Sequence, residues 1–320
     1  MLAGYITAQR VDLARVQERV NQLYLYEHET YNARDFSDFN AILTHYTKRH
    51  PGDISVACLG VAGPVFDNEV TGTNLPWTLK GSSLERKFSL RKVRVINDVV
   101  AAARGLFVLG KEKFFMLNEG NAQRQANIGL LAPGAGLGEA IISYDGDKYT
   151  PHDSEGGHAG FAPVRQIETE LWEYVYGQKG FVEAEDIISL AGLETIFRFL
   201  LERERAIMPD WFKKAPDKPS AVIEKGLSAK DDTAVHTLEL FVRCFANEAS
   251  SLALKGMTLG GVYLSGVIAP QLITVLDQGR FMLHFTGRGK MASVLNDIPV
   301  AVILDDRTAL LGAASMALRL

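Results

Sequence analysis

Four short stretches of the 320-residue chain carry residue types able to do chemistry. The first is Val95-Ile96-Asn97-Asp98-Val99-Val100. A carboxylate where an apolar strand gives way to an Ala-rich helix can cap the helix's free N–H groups. Open α/β sheets also present ligands at the carboxyl ends of their strands, where Asp98 could act as a general base. The second is Pro133-Gly134-Ala135-Gly136-Leu137-Gly138. Glycines at every second position let backbone N–H groups crowd around an anion, since no Cβ blocks the approach. A tight hairpin needing positive φ accounts for the same glycines equally well. The spacing is not GxGxxG, and the loop joins two strands rather than opening a helix, so a dinucleotide reading is poor. The third is Ser154-Glu155-Gly156-Gly157-His158. It places an acceptor beside a donor–acceptor on a tightly turned backbone, a pair suited to sugar hydroxyls; a polar loop is the plain alternative. No third His or Cys lies nearby to complete a metal site. The fourth is Glu185, in Glu183-Ala184-Glu185-Asp186, which precedes a predicted helix and by itself reads as a first-turn acid.

The elements that must position these residues follow an α/β pattern, with short apolar runs alternating with helical periods. Strands are predicted at residues 54–61, 93–96, 127–132, 139–143, 261–264 and 300–304, and a hairpin turn at 144–147. A helix follows Asp98. Past residue 165 the apolar period becomes 3.6, predicting helices over 167–176 (stopped by Gly177), 193–204, about 231–255 and 307–319. The polar stretch Pro209–Pro219 reads as a surface loop between helices. No internal repeat is visible.

Composition narrows the class. Apolar residues make up 47% and charged residues 22%, with a formal net charge of −4 and no long basic run. These values exclude a disordered chain and give no footprint for nucleic acid. No apolar run is long enough to span a membrane. Residues 1–8 lack the basic start of a secretory leader. The two cysteines, Cys58 and Cys244, sit in apolar surroundings and predict inert thiols in a reducing cytoplasm.

The order of the motifs is more specific than any one of them. GVAGPV (60–65), TNLPW (73–77), VINDVVAAARG (95–105), APGAGLGEA (132–140), SEGGHAGFAP (154–163), EAED (183–186), LGGVYLSG (259–266) and ALLGAA (309–314) together resemble the bacterial glucokinase family over essentially the whole chain. The resemblance implies an actin/hexokinase-like α/β fold: a small domain of residues 1–108 plus 302–320 and a large one of 109–301, around a cleft. It implies ATP-dependent phosphorylation of D-glucose, with Mg2+, in a cytoplasmic homodimer. Asp98 would be the base at the sugar 6-hydroxyl, and Asn97, Glu155, His158 and Glu185 would hold other hydroxyls. Gly134, Ala135, Gly136 and Gly138 would form a phosphate loop, with Gly266 beside the adenosine.

The chain departs from the family on the nucleotide side. The family opens with an aspartate and a Gly-Gly-Thr turn that grips phosphate and helps place magnesium. Here Tyr5 stands for the acid, Thr7 and Ala8 for the glycines, and Gln9 for the threonine. Ala135 replaces a hydroxyl residue and Val267 a second glycine, while every matched sugar-side position is kept. Two readings follow: a glucokinase, or a glucokinase-like protein that binds glucose as a sensor or relic and handles ATP weakly.

Overall fold

The computed structural model describes residues 1–20, 22–70, 75 and 77–320. Thr73, Asn74 and Pro76 of the TNLPW motif lie outside them. The chain forms two compact units, one of Met1–Lys111 with Asp305–Leu320, the other of Glu112–Leu304.

The first unit is built on strands Leu2–Ile6 (β1), Arg10–Arg19 (β2), Gln22–Asn32 (β3), Val56–Val61 (β4) and Lys92–Asn97, with a two-stranded ribbon of Glu69–Val70 (β5) and Leu79–Lys80 (β6). Taking Lys92–Asn97 as β7, the sheet order is β3-β2-β1-β4-β7. β1 pairs antiparallel with β2 and parallel with β4, and β4 runs parallel to β7. β4 is buried at every residue, as expected of a parallel strand covered on both faces. β2 is also buried at every position from Val11 to Val16, and this burial takes in a carboxylate, Asp12, at 2% exposure. Helix Asp98–Gly105 follows β7 directly, and helix Thr308–Ala317 packs on it. That approach needs two glycines. A Cβ on Gly105 would overlap the Thr308 carbonyl, and one on Gly312 the Ala101 carbonyl.

The second unit carries strands Phe114–Asn118 (β8), Ile128–Pro133 (β9), Leu137–Tyr144 (β10), Tyr149–Ser154 (β11), Gly261–Leu264 (β12) and Val300–Ile303 (β13), in the order β11-β10-β9-β12-β13-β8. Leaving aside the edge strand β8, each sheet is an antiparallel three-stranded meander continued by two parallel strands. The absence of a sequence repeat therefore hides a repeated topology. Backbone pairing fixes strand order, and many different side chains can pack on the same order.

Helix Asp232–Gly256 runs through the core of this unit and buries Leu238, Phe241, Val242, Phe245, Ala249 and Leu252, the face its periodicity predicts. Two expectations are corrected. Helix Gln166–Lys179 passes through Gly177 and ends at Gly180, which has φ +75°. Gly177 meets nothing within 4 Å of a Cβ position, so only Gly180 serves as the left-handed cap. The Pro209–Pro219 stretch is not a plain loop. It contains helix Asp210–Lys214 and starts helix Lys218–Leu227, with Pro219 in the first turn, where a missing N–H costs nothing. Phe212 from this stretch is fully buried beside Phe197.

Candidate active site

In the first unit, β7 ends at Asn97 and the next helix begins at Asp98. The cap is Asn97: its Oδ1 accepts from the N–H groups of Val99 (2.8 Å) and Val100 (3.2 Å). Its Nδ2 donates to the Gly63 carbonyl at 3.1 Å, and the residue is 8% exposed. Asp98 adds a bond from Val99 N–H at 3.0 Å. Because Asn97 does the capping, the capping reading of Asp98 loses most of its force.

The β1–β2 turn lies in the same unit. Thr7 Oγ1 accepts from the N–H groups of Arg10 (3.0 Å) and Gln9 (3.4 Å), and donates to the Arg10 carbonyl at 3.1 Å. Of the amides a Gly-Gly-Thr turn would present to an anion, that of Gln9 is thus bonded to the Thr7 hydroxyl, and that of Thr7 to the Arg10 carbonyl at 2.8 Å. Tyr5 lies directly across from Asp12 in the β1–β2 register. Burial, then the negative charges of Asp98 and Asp12, push the Tyr5 phenol above its usual range, so it is neutral at pH 7. Asp12 pairs with Arg10 Nε at 2.7 Å, accepts from Thr30 Oγ1 at 2.5 Å and lies 3.3 Å from His28 Nε2. A magnesium ion needs several oxygen donors with at least one available carboxylate. Here the family's acid is a neutral phenol and the neighbouring carboxylate is already engaged. No group of three His, Cys, Asp or Glu among the described residues is arranged to hold a metal. The donor set of this turn does not fit magnesium.

In the second unit, the turn between β9 and β10 occupies the same place in its sheet as the β1–β2 turn does in the first. Leu137 pairs with Pro133 and Gly138 with Ala132, so only Gly134, Ala135 and Gly136 form the turn and Gly138 belongs to the strand. Neither Gly134, Gly136 nor Gly138 has positive φ, which removes the strained-hairpin explanation. A Cβ at Gly136 would overlap the Glu185 carboxylate, so a side chain there would have to displace Glu185. Glu185 Oε2 accepts from Leu137 N–H at 2.8 Å. Gly266 has φ +78°, and a Cβ on it would overlap the Pro133 carbonyl. Its segment therefore lies against the same turn, with the Val267 side chain beside Gly134.

Glu155 precedes and His158 ends a single 3-10 turn, Gly156–His158, after β11. His158 Nδ1 lies 2.9 Å from Glu183 Oε2, and Nε2 lies 3.8 Å from Glu155 Oε2. Its side chain is 49% exposed. The hydrogen bond His158 donates to Glu183, with the fields of Glu185, Glu183 and Glu155, raises the imidazole pKa above its usual value against a smaller opposing effect of burial. The structure thus brings Glu155, His158 and Glu185 together and adds Glu183. That residue was visible in the EAED motif, but nothing in its spacing marked it as the partner of His158. Both cysteine thiols are buried and raised in pKa, Cys58 to about 12, consistent with inert side chains.

Solved structures share this arrangement of sheets. Glucokinase from an Antarctic psychrotroph superposes with a TM-score of 0.86 at 25% identity, covering 100% of this chain and 98% of that one. A Balamuthia mandrillaris glucokinase solved with glucose gives 0.83 at 20% identity, covering 99% and 92%. The fold is the actin/hexokinase-like α/β fold of the sugar kinases. A Trichormus variabilis glucokinase is 32% identical over 339 aligned residues, spanning 100% of this chain and 99% of the relative. The glucokinase family model matches residues 2–320. The chain belongs to the glucokinase family.

Proposed function

We propose that this sugar kinase transfers the γ-phosphoryl group of ATP to the 6-hydroxyl of D-glucose. The observation that carries the reading is His158 set among Glu155, Glu183 and Glu185. Carboxylates and an imidazole in one place can both accept from and donate to vicinal hydroxyls. Glu155, His158 and Glu185, with Asn97, are assigned to those hydroxyls. Asp98 accepts the 6-hydroxyl proton as that oxygen forms its bond to the γ-phosphorus and the bond from the γ-phosphorus to the bridging oxygen of ADP breaks. Such transfer is mostly positioning and charge stabilisation. The glycine turn 134–136 and Gly266 are assigned to the nucleotide, and the two compact units to the small and large domains of the family. A cytoplasmic homodimer is part of the same reading.

A second reading has its own support. With Thr7 closing the β1–β2 turn and Tyr5 in place of the acid, the first unit offers ATP little. The protein would then bind glucose while turning over slowly. A coupled assay with ATP and glucose, run beside separate calorimetric titrations of each ligand, separates the two. Glucose binding with full turnover supports the first reading, and glucose binding with weak ATP affinity the second. Absence of glucose binding removes both.

A further inference from the structure

Beneath the 154–158 turn lies a carboxyl group to which the reaction assigns no role. Glu139 sits on β10 directly opposite Ser154 of β11, and its side chain is driven inward to 4% exposure. Its carboxyl packs against the backbone of Gly156, leaving no room for a Cβ there. Ser154 Oγ closes the same spot by accepting from Gly156 N–H at 3.0 Å. Glu139 Oε1 is buried without a hydrogen-bond partner among the described residues. From helix Asp232–Gly256, Glu248 and Lys255 face it. Glu248 is itself buried, with its own carboxyl raised in pKa by burial, and lies 3.9 Å from Lys255 Nζ. An ionised Glu139 in this place would be an anion without a bonded counterion, which is costly.

We propose that Glu139 is a positioning residue that supports the 154–158 turn from below in its uncharged form, and so holds Glu155 and His158 in place for the sugar. Burial first, then Glu248, push its carboxyl up to about 8, with Lys255 opposing. Raising the pH through that value charges the group and loosens the turn. The consequence for ligand binding rests on the sugar reading of Glu155 and His158; the support of the turn does not.

The test follows amide hydrogen exchange of residues 154–158 in the ligand-free protein at pH 7 and pH 9, corrected for intrinsic rates, beside calorimetric glucose titrations at both pH values. The wild type should lose protection in this turn at pH 9 and bind glucose about threefold to tenfold more weakly, one pKa unit of coupling being tenfold in affinity. Glu139→Gln, neutral at both pH values, should keep its protection and its affinity. His158 titrates in both proteins, so its effect cancels in the comparison. Glu248→Gln should move the wild-type transition to lower pH, and serves if Glu139→Gln does not fold. Equal exchange at both pH values in the wild type overturns the proposal, as does a tenfold affinity loss in Glu139→Gln at pH 7. If the wild type binds no glucose, the sugar reading fails, while the exchange data still decide the role of Glu139.

Discussion

Glu185 and Gly136 fit together as a pair: the carboxylate occupies the space a side chain at 136 would need, and holds the Leu137 N–H next to it. A residue assigned to the sugar therefore also shapes the turn assigned to phosphate. Gly136→Ala should displace Glu185 and weaken glucose as well as ATP. Glu185→Gln, which keeps the shape but lowers acceptor strength, should cost about 1–3 kcal/mol of glucose binding. Calorimetry on both variants checks this. Unchanged glucose affinity in Gly136→Ala would disconnect the two roles.

Asp98→Asn should leave the thermal transition and glucose affinity nearly unchanged, because Asn97 caps the helix. Turnover should fall by roughly 10²–10⁴-fold, the usual worth of a general base. Steady-state kinetics beside a melting curve decide it. A fall in stability with turnover intact would return Asp98 to a capping role.

His158 has its pKa raised by Glu183. A group raised in the folded state contributes stability that is fully present below its unfolded pKa of about 6.5 and is lost as pH rises through the folded value. Glu183→Gln should move the His158 imidazole resonance to titrate at lower pH. It should also shrink the stability difference between mildly acidic and alkaline solution. An unmoved NMR titration curve would mean that Glu183 does not hold the ring.

How far the sequence led depended on what each signal measures. Apolar runs predicted β4, β9, β10 and β12 to within two residues or so at each end, since burial on a sheet is written in residue type. Gly177 misled because glycine marks a helix end only where the backbone turns left-handed, and the sequence carries no φ. Asp12 was invisible for a related reason: β2 is buried on both faces, so its carboxylate stands where an alternating pattern expects solvent. Glu155, His158 and Glu185 were legible as candidates through their motifs, whereas Glu183 became distinguishable from Glu185 only through distance. The closed β1–β2 turn needed both. Sequence showed the glycines missing, and geometry showed the Thr7 hydroxyl bonding the Gln9 and Arg10 amides.

Rebuilding that turn tests the second functional reading. The combination Tyr5→Asp, Thr7→Gly, Ala8→Gly and Gln9→Thr removes the Thr7 hydroxyl, frees the amides and restores a carboxylate at the end of β1. Nucleotide affinity should rise and turnover with it, read by calorimetry and the coupled assay. Wild-type turnover already in the ordinary range of about 10–10³ s⁻¹ would sink the impaired reading.

Close packing of helix Thr308–Ala317 on helix Asp98–Gly105 should be intolerant of added volume. Gly312→Ala pushes a methyl into the Ala101 carbonyl and should cost about 1–3 kcal/mol. Thermal or urea unfolding measures it, and an unshifted midpoint would mean the two helices can separate freely.

The same helix pair has a consequence for biosynthesis. The unit that carries Asp98 is assembled from two separated stretches, and the second, residues 305–320 with the Leu320 carbonyl that accepts from Arg91, is translated only after the whole of the other unit. Residues 112–304 emerge from the ribosome as one continuous stretch, but the earlier-made five-stranded sheet of the first unit must wait for residues 305–320 to cover it. Chains stalled before residue 308 would therefore expose the apolar surface that Leu310 and Ala313 of helix Thr308–Ala317 cover. Quality control by chaperones and proteases should act on that sheet, and chains that retain residues 305–320 should accumulate at the expense of those that lack them.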